Sequence, residues 1–405
     1  MSILAHILKQ LIHPSRPTQQ HFLGLLFTLW LAIPGRINFL NLARYSGKSE
    51  KTFRNWFEKP LDWLSLNTAL IQHLQHGNLI GKRAILGIDA SFIPKAGNST
   101  PGLGKFWNGS IGRAEQGLEL SCCTYIDLEH RQAFVLHACQ TPTTLEQGKS
   151  RLGHYADHAS DVLGSLPPAV RDSLEAVVGD AYYSKKTFVD AMIARGITVV
   201  GKLRLDADLH YLYVGPPSQK VGRPRLYDGK VDFKDFQRWE PVTFDFVGTG
   251  YSAIVYSKSL KRNIRVVVIL WPRKSGMGRG VFYSTDTMMP AQKVMECYRA
   301  RFEMEFPFRD AKQHGGLLSC QSRQSAALEF HWNMSFLSVN LTRAEQLEGH
   351  VGAKENFVFR MEDAKRRAYN EVLAQRIFEV LPLRGTWDKF RNRISDVLNL
   401  GVKMA

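Results

Sequence analysis

Ala84-Ile85-Leu86-Gly87-Ile88-Asp89 sets an unbroken apolar run of strand length directly before a carboxylate. Farther on, Ala176-Val177-Val178-Gly179-Asp180 repeats the arrangement. Apolar runs without alternation suit a strand buried on both faces, because side chains on either side of the pleat then meet other side chains rather than water. Both runs are read as central strands that end at their aspartates. In open α/β sheets the carboxyl ends of the strands gather ligand-binding groups, so Asp89 and Asp180 are expected side by side despite the 90 positions between them. Two carboxylates held close repel each other unless a cation sits between them, which points to a divalent ion with oxygen ligands. The plainer alternative is that each aspartate caps the turn that follows it.

Between and after these strands the pattern is mixed. A Gly-rich loop spans 97–117 and carries Trp107; Leu118–Ile126 and Gln132–Ala138 read as strands joined by a polar turn at 127–131. Thr143–Leu166 is charged and periodic like a surface helix stopped by Pro167-Pro168, Lys185–Arg195 is a helix closed by Gly196, and Ile197–Leu205 is a further strand. The succession strand, strand, strand, helix, strand, helix, strand matches an α/β fold of the ribonuclease H-like kind, a mixed sheet with helices on both faces. Residues 206–285 break the alternation: turn clusters at 215–217, 222–224 and 248–250 separate β-rich runs such as Ile264–Leu270 and Val281–Tyr283, which predicts an inserted β-rich domain. The core domain is therefore placed at 81–205 and 286–345, with a C-terminal helical region at 346–405.

Residues 1–80 read as a helical domain. Gln20–Ile33 is a buried helix, Pro34-Gly35 a break, and Arg36–Tyr45 and Glu50–Lys59 flank the turn Ser46-Gly47-Lys48-Ser49. Two short helices about a Gly-containing turn suit a helix-turn-helix, in which Lys48, Lys51 and Arg54 face DNA while Phe53, Trp56 and Phe57 pack inward; simple helix packing is the alternative. Charge bears on the whole chain: 53 Lys and Arg against 37 Asp and Glu give a net charge of +16, which suits a polyanionic partner such as nucleic acid, with a generally basic protein as the bland alternative.

Other classes are disfavoured. The five cysteines form no C-x-x-C pair, so neither a disulfide framework nor a zinc ribbon is indicated and a reducing cytoplasm fits. The most apolar run, Phe22–Ile33, is about half the length that spans a bilayer. Gly47-Lys48-Ser49 and Gly148-Lys149-Ser150 lack the upstream glycine of a phosphate-binding loop, so no nucleotide cofactor is implied, and H-E-x-x-H and G-x-S-x-G are absent.

The third chemical element lies in YRARFEMEFPFRDAK, where Tyr298, Arg301, Glu305 and Lys312 follow the spacing Y-x2-R-x3-E-x6-K. At about 100° per residue the four positions fall within an arc of about 60°, one stripe of a straight helix. Pro307 removes a backbone hydrogen bond, so a kink is expected near Glu303. The bland alternative is a solvated face with an Arg301–Glu305 pair.

On these residues the chain resembles bacterial insertion-sequence DDE transposases, in the group with the Tyr-Arg-Glu-Lys (YREK) signature, from Arg83 to about Gln324. The resemblance implies that Asp89, Asp180 and Glu305 are the catalytic residues and hold two divalent metal ions, Mg2+ or Mn2+; Glu303 and Asp310 fit the spacing less well. It implies a β-domain inserted between the second aspartate and the glutamate, here separated by 124 residues. Lys202 and Arg204 are then expected to contact DNA near the site, Arg301 and Lys312 to hold phosphates, and Tyr298 to position a terminal phosphate. Ala181-Tyr182-Tyr183 departs from relatives that carry charge after the second aspartate. Trp271 or Trp239 is a candidate to receive a flipped base, with a structural role as the alternative. Expected partners are double-stranded DNA, as element ends and target, and a second copy of the chain on that DNA. A metal-dependent nuclease that does not join strands, or a DNA-binding protein that has lost catalysis, are the rival readings.

Overall fold

The computed structural model describes residues 3–10, 17–216, 225–246, 248–273, 276–351, 357–381 and 386–403. Helices α1 (Ile3–Gln10), α2 (Pro17–Ala32), α3 (Phe39–Ser46), α4 (Glu50–Phe57) and α5 (Trp63–His76) come first. Local chemistry sets their ends: the Asn38, Ser49 and Asp62 side chains accept from the first-turn N–H groups of α3, α4 and α5, and Gly47 closes α3 at φ 70°.

The core follows as β1 (Ala84–Pro94), β2 (Gly104–Asn108), β3 (Arg113–Asp127), β4 (Ala133–Gln140), α6 (Arg151–Ser165), α7 (Pro168–Asp172), β5 (Leu174–Val178), α8 (Lys186–Ala194) and β6 (Val199–Leu203). Three local expectations change. Part of the loop predicted at 97–117 is an antiparallel hairpin, β2 with the start of β3, because Phe106 alternates with Lys105 and Trp107 and buries one face. The helix predicted from Thr143 begins at Arg151, since Gly148 turns the chain at φ 83° and Ser150 caps the first turn. Strand β1 does not end at Asp89 but continues to Pro94, because β3 pairs with it over its whole length.

Next come β7 (Leu209–Leu212), β8 (Tyr227–Lys230), β9 (Glu240–Val242), β10 (Thr249–Ser257), β11 (Arg262–Arg273) and β12 (Gly276–Ser284). The turns expected at 222–224 and at Pro217 lie outside the described residues. These strands add to the core sheet: β12 runs antiparallel to β6 from Val281↔Leu203 to Ser284↔Val200. A single twelve-stranded sheet results among the described residues, in the order β2-β3-β1-β5-β6-β12-β11-β10-β7-β8, with β4 on β3 and β9 on β10. Among the described residues only β1–β5 and β5–β6 are parallel.

Helices α9 (Ala291–Ala300), α10 (Glu305–Gln313), α11 (Ser325–Gly349), α12 (Met361–Val380), α13 (Trp387–Phe390) and α14 (Ser395–Leu398) complete the chain. Helices cover both faces of the sheet. Leu86 and Ile88 pack in a core with α6 and α8, whereas Ile85, Val178 and Val200 pack with α9. Helix α11 also closes the outer rim of β4: Asn333 bonds the N–H and C=O of Ala138, and Asn340 those of Val135. No described helix is long and apolar enough to cross a membrane.

Candidate active site

Register brings the two aspartates level. Gly87 on β1 is paired with Val178, the last residue of β5, and Asp89 and Asp180 each lie two positions farther on. The gap beside Asp89 exists because β5 stops while β1 continues. Each aspartate also accepts a local N–H, Asp89 from Ala90 and Asp180 from Tyr182, both at 2.8 Å, so turn capping accompanies the juxtaposition.

The predicted kink is present as a 3-10 turn, Arg301–Met304, between α9 and α10. Pro307, with no N–H to offer the Glu303 carbonyl, sits in the first turn of α10, where a missing donor costs little. Glu305 thereby becomes the first residue of a new helix. Met304, fully buried, packs on Gly87, where an added Cβ would lie 3.3 Å from the Met304 sulfur and 2.9 Å from Ile126. The glycine thus lets the turn approach β1 and sets Glu305 above the strand that bears Asp89.

Electrostatics tie these groups together. Burial above all, then the nearby Asp180 and Glu305 charges, hold the Asp89 carboxyl up at about 6, with Arg301 opposing them. Arg301 Nη1 lies 3.5 Å from Asp89 Oδ2, not on Glu305 one turn away, and its buried Nε has no hydrogen-bond partner. Burial lowers the Lys312 ammonium, countered by Cys122 and Asp89. Burial chiefly raises the Tyr298 hydroxyl, whose ring lies 4.6 Å from Phe282. The nearby acids of the same segment face elsewhere: Asp310 is buried against Arg343 and Arg309, and Glu303 is influenced by Arg131 and Arg343. Among the described residues, no three His, Cys, Asp or Glu side chains stand close enough to hold one metal ion.

The outer candidates separate by position. Lys202 is exposed on β6 and shares the face of Val200, the face that carries α9; Arg204 is exposed and paired with Asp206. Lys48, Lys51 and Arg54 are exposed on the turn and α4, with Arg54 paired to Glu50, while Phe53 and Phe57 are buried beneath. Trp239 is buried with its N–H on the Tyr211 hydroxyl. Trp271 instead lines a cavity of about 680 Å³ with Tyr298, Arg301, Phe282, Phe302 and Arg131. Sequence reasoning missed this cavity because its walls come from β11, β12, α9 and a turn far apart in order. Tyr183, noted in sequence only as part of a departure from the family, has a buried hydroxyl without a hydrogen-bond partner that lies near Asp89 and Asp180.

The transposase DDE domain family matches residues 81–341, more than half of the chain. The chain belongs to the DDE transposase family. The match starts just before β1 and ends within α11, enclosing both aspartates, the strands after them and the α9–α10 segment. No curated protein matches the sequence. As a DDE transposase the chain is a DNA-acting nuclease or transferase of a family that generally uses divalent metals.

Proposed function

We propose that this DDE transposase, of the YREK group, cuts DNA at the ends of an insertion element and joins the freed 3′-hydroxyl to a target phosphodiester, with Asp89, Asp180 and Glu305 as its metal-binding carboxylates. The observation that carries the reading is that Asp180 and Glu305, far apart in sequence, both act on the Asp89 carboxyl, which the Arg301 guanidinium and the Lys312 ammonium face. Hard carboxylate oxygens fit Mg2+ or Mn2+, and carboxylates that raise one another's pKa favour a cation between them once DNA and metal draw them together. When bound, a metal pair supplies activation of the attacking oxygen and stabilisation of the leaving 3′-oxygen in an in-line displacement.

The protein's own groups do the rest. Arg301, released from Asp89 once its charge is otherwise balanced, turns its unpartnered Nε and its Nη groups to a DNA phosphate, and Lys312 and Lys202 bind neighbouring phosphates by charge-assisted hydrogen bonds. Tyr298 orients the terminal phosphate. Trp271, on the cavity wall beside Tyr298, suits a base-receiving role; buried, hydrogen-bonded Trp239 does not. Exposed Lys48, Lys51 and Arg54 read the element end, and two copies of the chain hold two ends together.

The test uses element-end duplexes incubated with Mg2+ and a supercoiled target. Asp89→Asn, Asp180→Asn and Glu305→Gln should each retain DNA binding while cleavage falls roughly a thousandfold or more. Near-normal cutting by any one variant rejects that residue. Cutting without joined product restricts the enzyme to hydrolysis.

A further inference from the structure

The strand face that bears Asp89 emerges into solvent a second time at the β2–β3 hairpin. Side chains alternate along a strand, and continuous pairing fixes which residues share a face. Asp89 opposes Cys122 and Ile93 opposes Leu118 on β3; continuing along β3, Gln116 opposes Lys105 and Ala114 opposes Trp107. Lys105, Trp107, Ala114 and Gln116 therefore lie on the face of Asp89. Leu118 and Leu120 in between are roofed by Leu317 and Leu328, whereas the four hairpin residues are exposed, Trp107 at 62%. From Cys122 to Ala114 is eight residues, or about 27 Å at ~3.4 Å per residue, the rise of about eight base pairs of duplex.

The chemistry of this face selects its occupant. Phe106 anchors the hairpin from the other side, buried beneath the Arg151 guanidinium. Glu115, the hairpin's only carboxylate, shares the face of Phe106 and is held by Arg113 and Asn108. The open face thus presents an indole, an ammonium and an amide without an acid. An ammonium and an indole on one acid-free face offer a phosphate contact and a groove contact side by side, and this charge suits a polyanion rather than a second copy of the same basic face.

We propose that the β2–β3 hairpin is a second duplex-DNA contact, with Lys105 on a backbone phosphate and Trp107 in the groove about eight base pairs from the phosphate under attack. The proposal rests on the transposase reading of the Asp89 site, so its test separates the two. Fluorescein-labelled blunt duplexes of mixed sequence, from 6 to 30 base pairs, are titrated with the full chain at several salt concentrations. Wild-type binding of the long duplexes checks the underlying reading; the variants check only the hairpin.

Trp107→Ala should weaken the long duplexes roughly tenfold and leave the shortest unchanged, in line with the loss of one large tryptophan contact at an interface. Lys105→Gln should lower the slope of log K against log salt by about 0.9, the loss of one phosphate contact, a change that a merely structural role would not produce. Arg113→Gln, on the reverse face, should alter neither. Wild-type affinity and salt slope in both Trp107→Ala and Lys105→Gln overturn the proposal. So does a Trp107→Ala chain that binds DNA normally but no longer self-associates, since the hairpin would then serve a second copy.

Discussion

Arg301 holds Asp89 at 3.5 Å while its own Nε stays buried and unpartnered, so the side chain is poised between a carboxylate and some further acceptor. If that acceptor is a DNA phosphate, Arg301→Ala should cut cleavage at least tenfold, and Arg301→Lys should restore it only partly because an ammonium lacks the guanidinium's fork. Single-turnover cleavage rates measure both. His158 carries a different prediction. It is buried between Ser121, 2.8 Å from Nδ1, and His137, 3.0 Å from Nε2, with Cys123 beside it; burial, then the like charges of His137 and His154, lower it from 6.5 to about 3. The unfolded chain thus takes up a proton before the folded chain does. Stability should fall as pH drops below about 6.5, by up to about 1.4 kcal/mol per pH unit from this group until pH 3. Urea denaturation at stepped pH measures the slope, and His158→Gln should flatten it; an unchanged slope would show that other groups set it.

At the level of elements, α11 acts as the frame that holds both the sheet rim and the signature segment. Its Asn340 bonds both backbone groups of Val135 and the side chain of Asn67, replacing a neighbour strand that β4 lacks on that side. Asn340→Leu leaves these buried groups unsatisfied and should cost roughly 3 kcal/mol, read as a lowered Tm. Arg343 on the same helix reaches Asp310 at 3.4 Å, an interior pair that fixes the far end of α10. The near end depends on Gly87. Gly87→Ala puts a methyl 2.9 Å from the Ile126 side chain and 3.3 Å from the Met304 sulfur, so these side chains give by a few tenths of an ångström, and the part Met304 takes up is passed to the 3-10 turn that carries Glu305. Cleavage should drop at least tenfold while duplex binding holds, because a displacement of a few tenths of an ångström at a reacting group is felt mainly in the chemical step.

Across the whole molecule, the strands after Leu203 are an extension of the core sheet. Cutting out 207–284 would strip β12 from β6 and leave a parallel-sheet strand with an open rim, so the shortened chain should aggregate on size-exclusion chromatography rather than yield a smaller monomer. The +16 charge predicts that duplex affinity falls steeply between 50 and 200 mM salt, with the loss set by the number of phosphates contacted.

The sequence by itself determined the two buried strands, the aspartate that follows each, the kink near Glu303 and the helical flanks, because uninterrupted apolar runs, caps and proline act over a few residues. It also carried the Y-x2-R-x3-E-x6-K spacing on which the proposed role of Glu305 rests. The tertiary structure alone decided that β1 runs on past Asp89, that Arg301 turns to Asp89 instead of Glu305, that the late strands join the core sheet, and that Trp271 opens on a cavity while Trp239 is buried. These depend on which strand ends first and which side chains meet across the sheet. Such pairings join residues tens or hundreds of positions apart, and no local pattern encodes them.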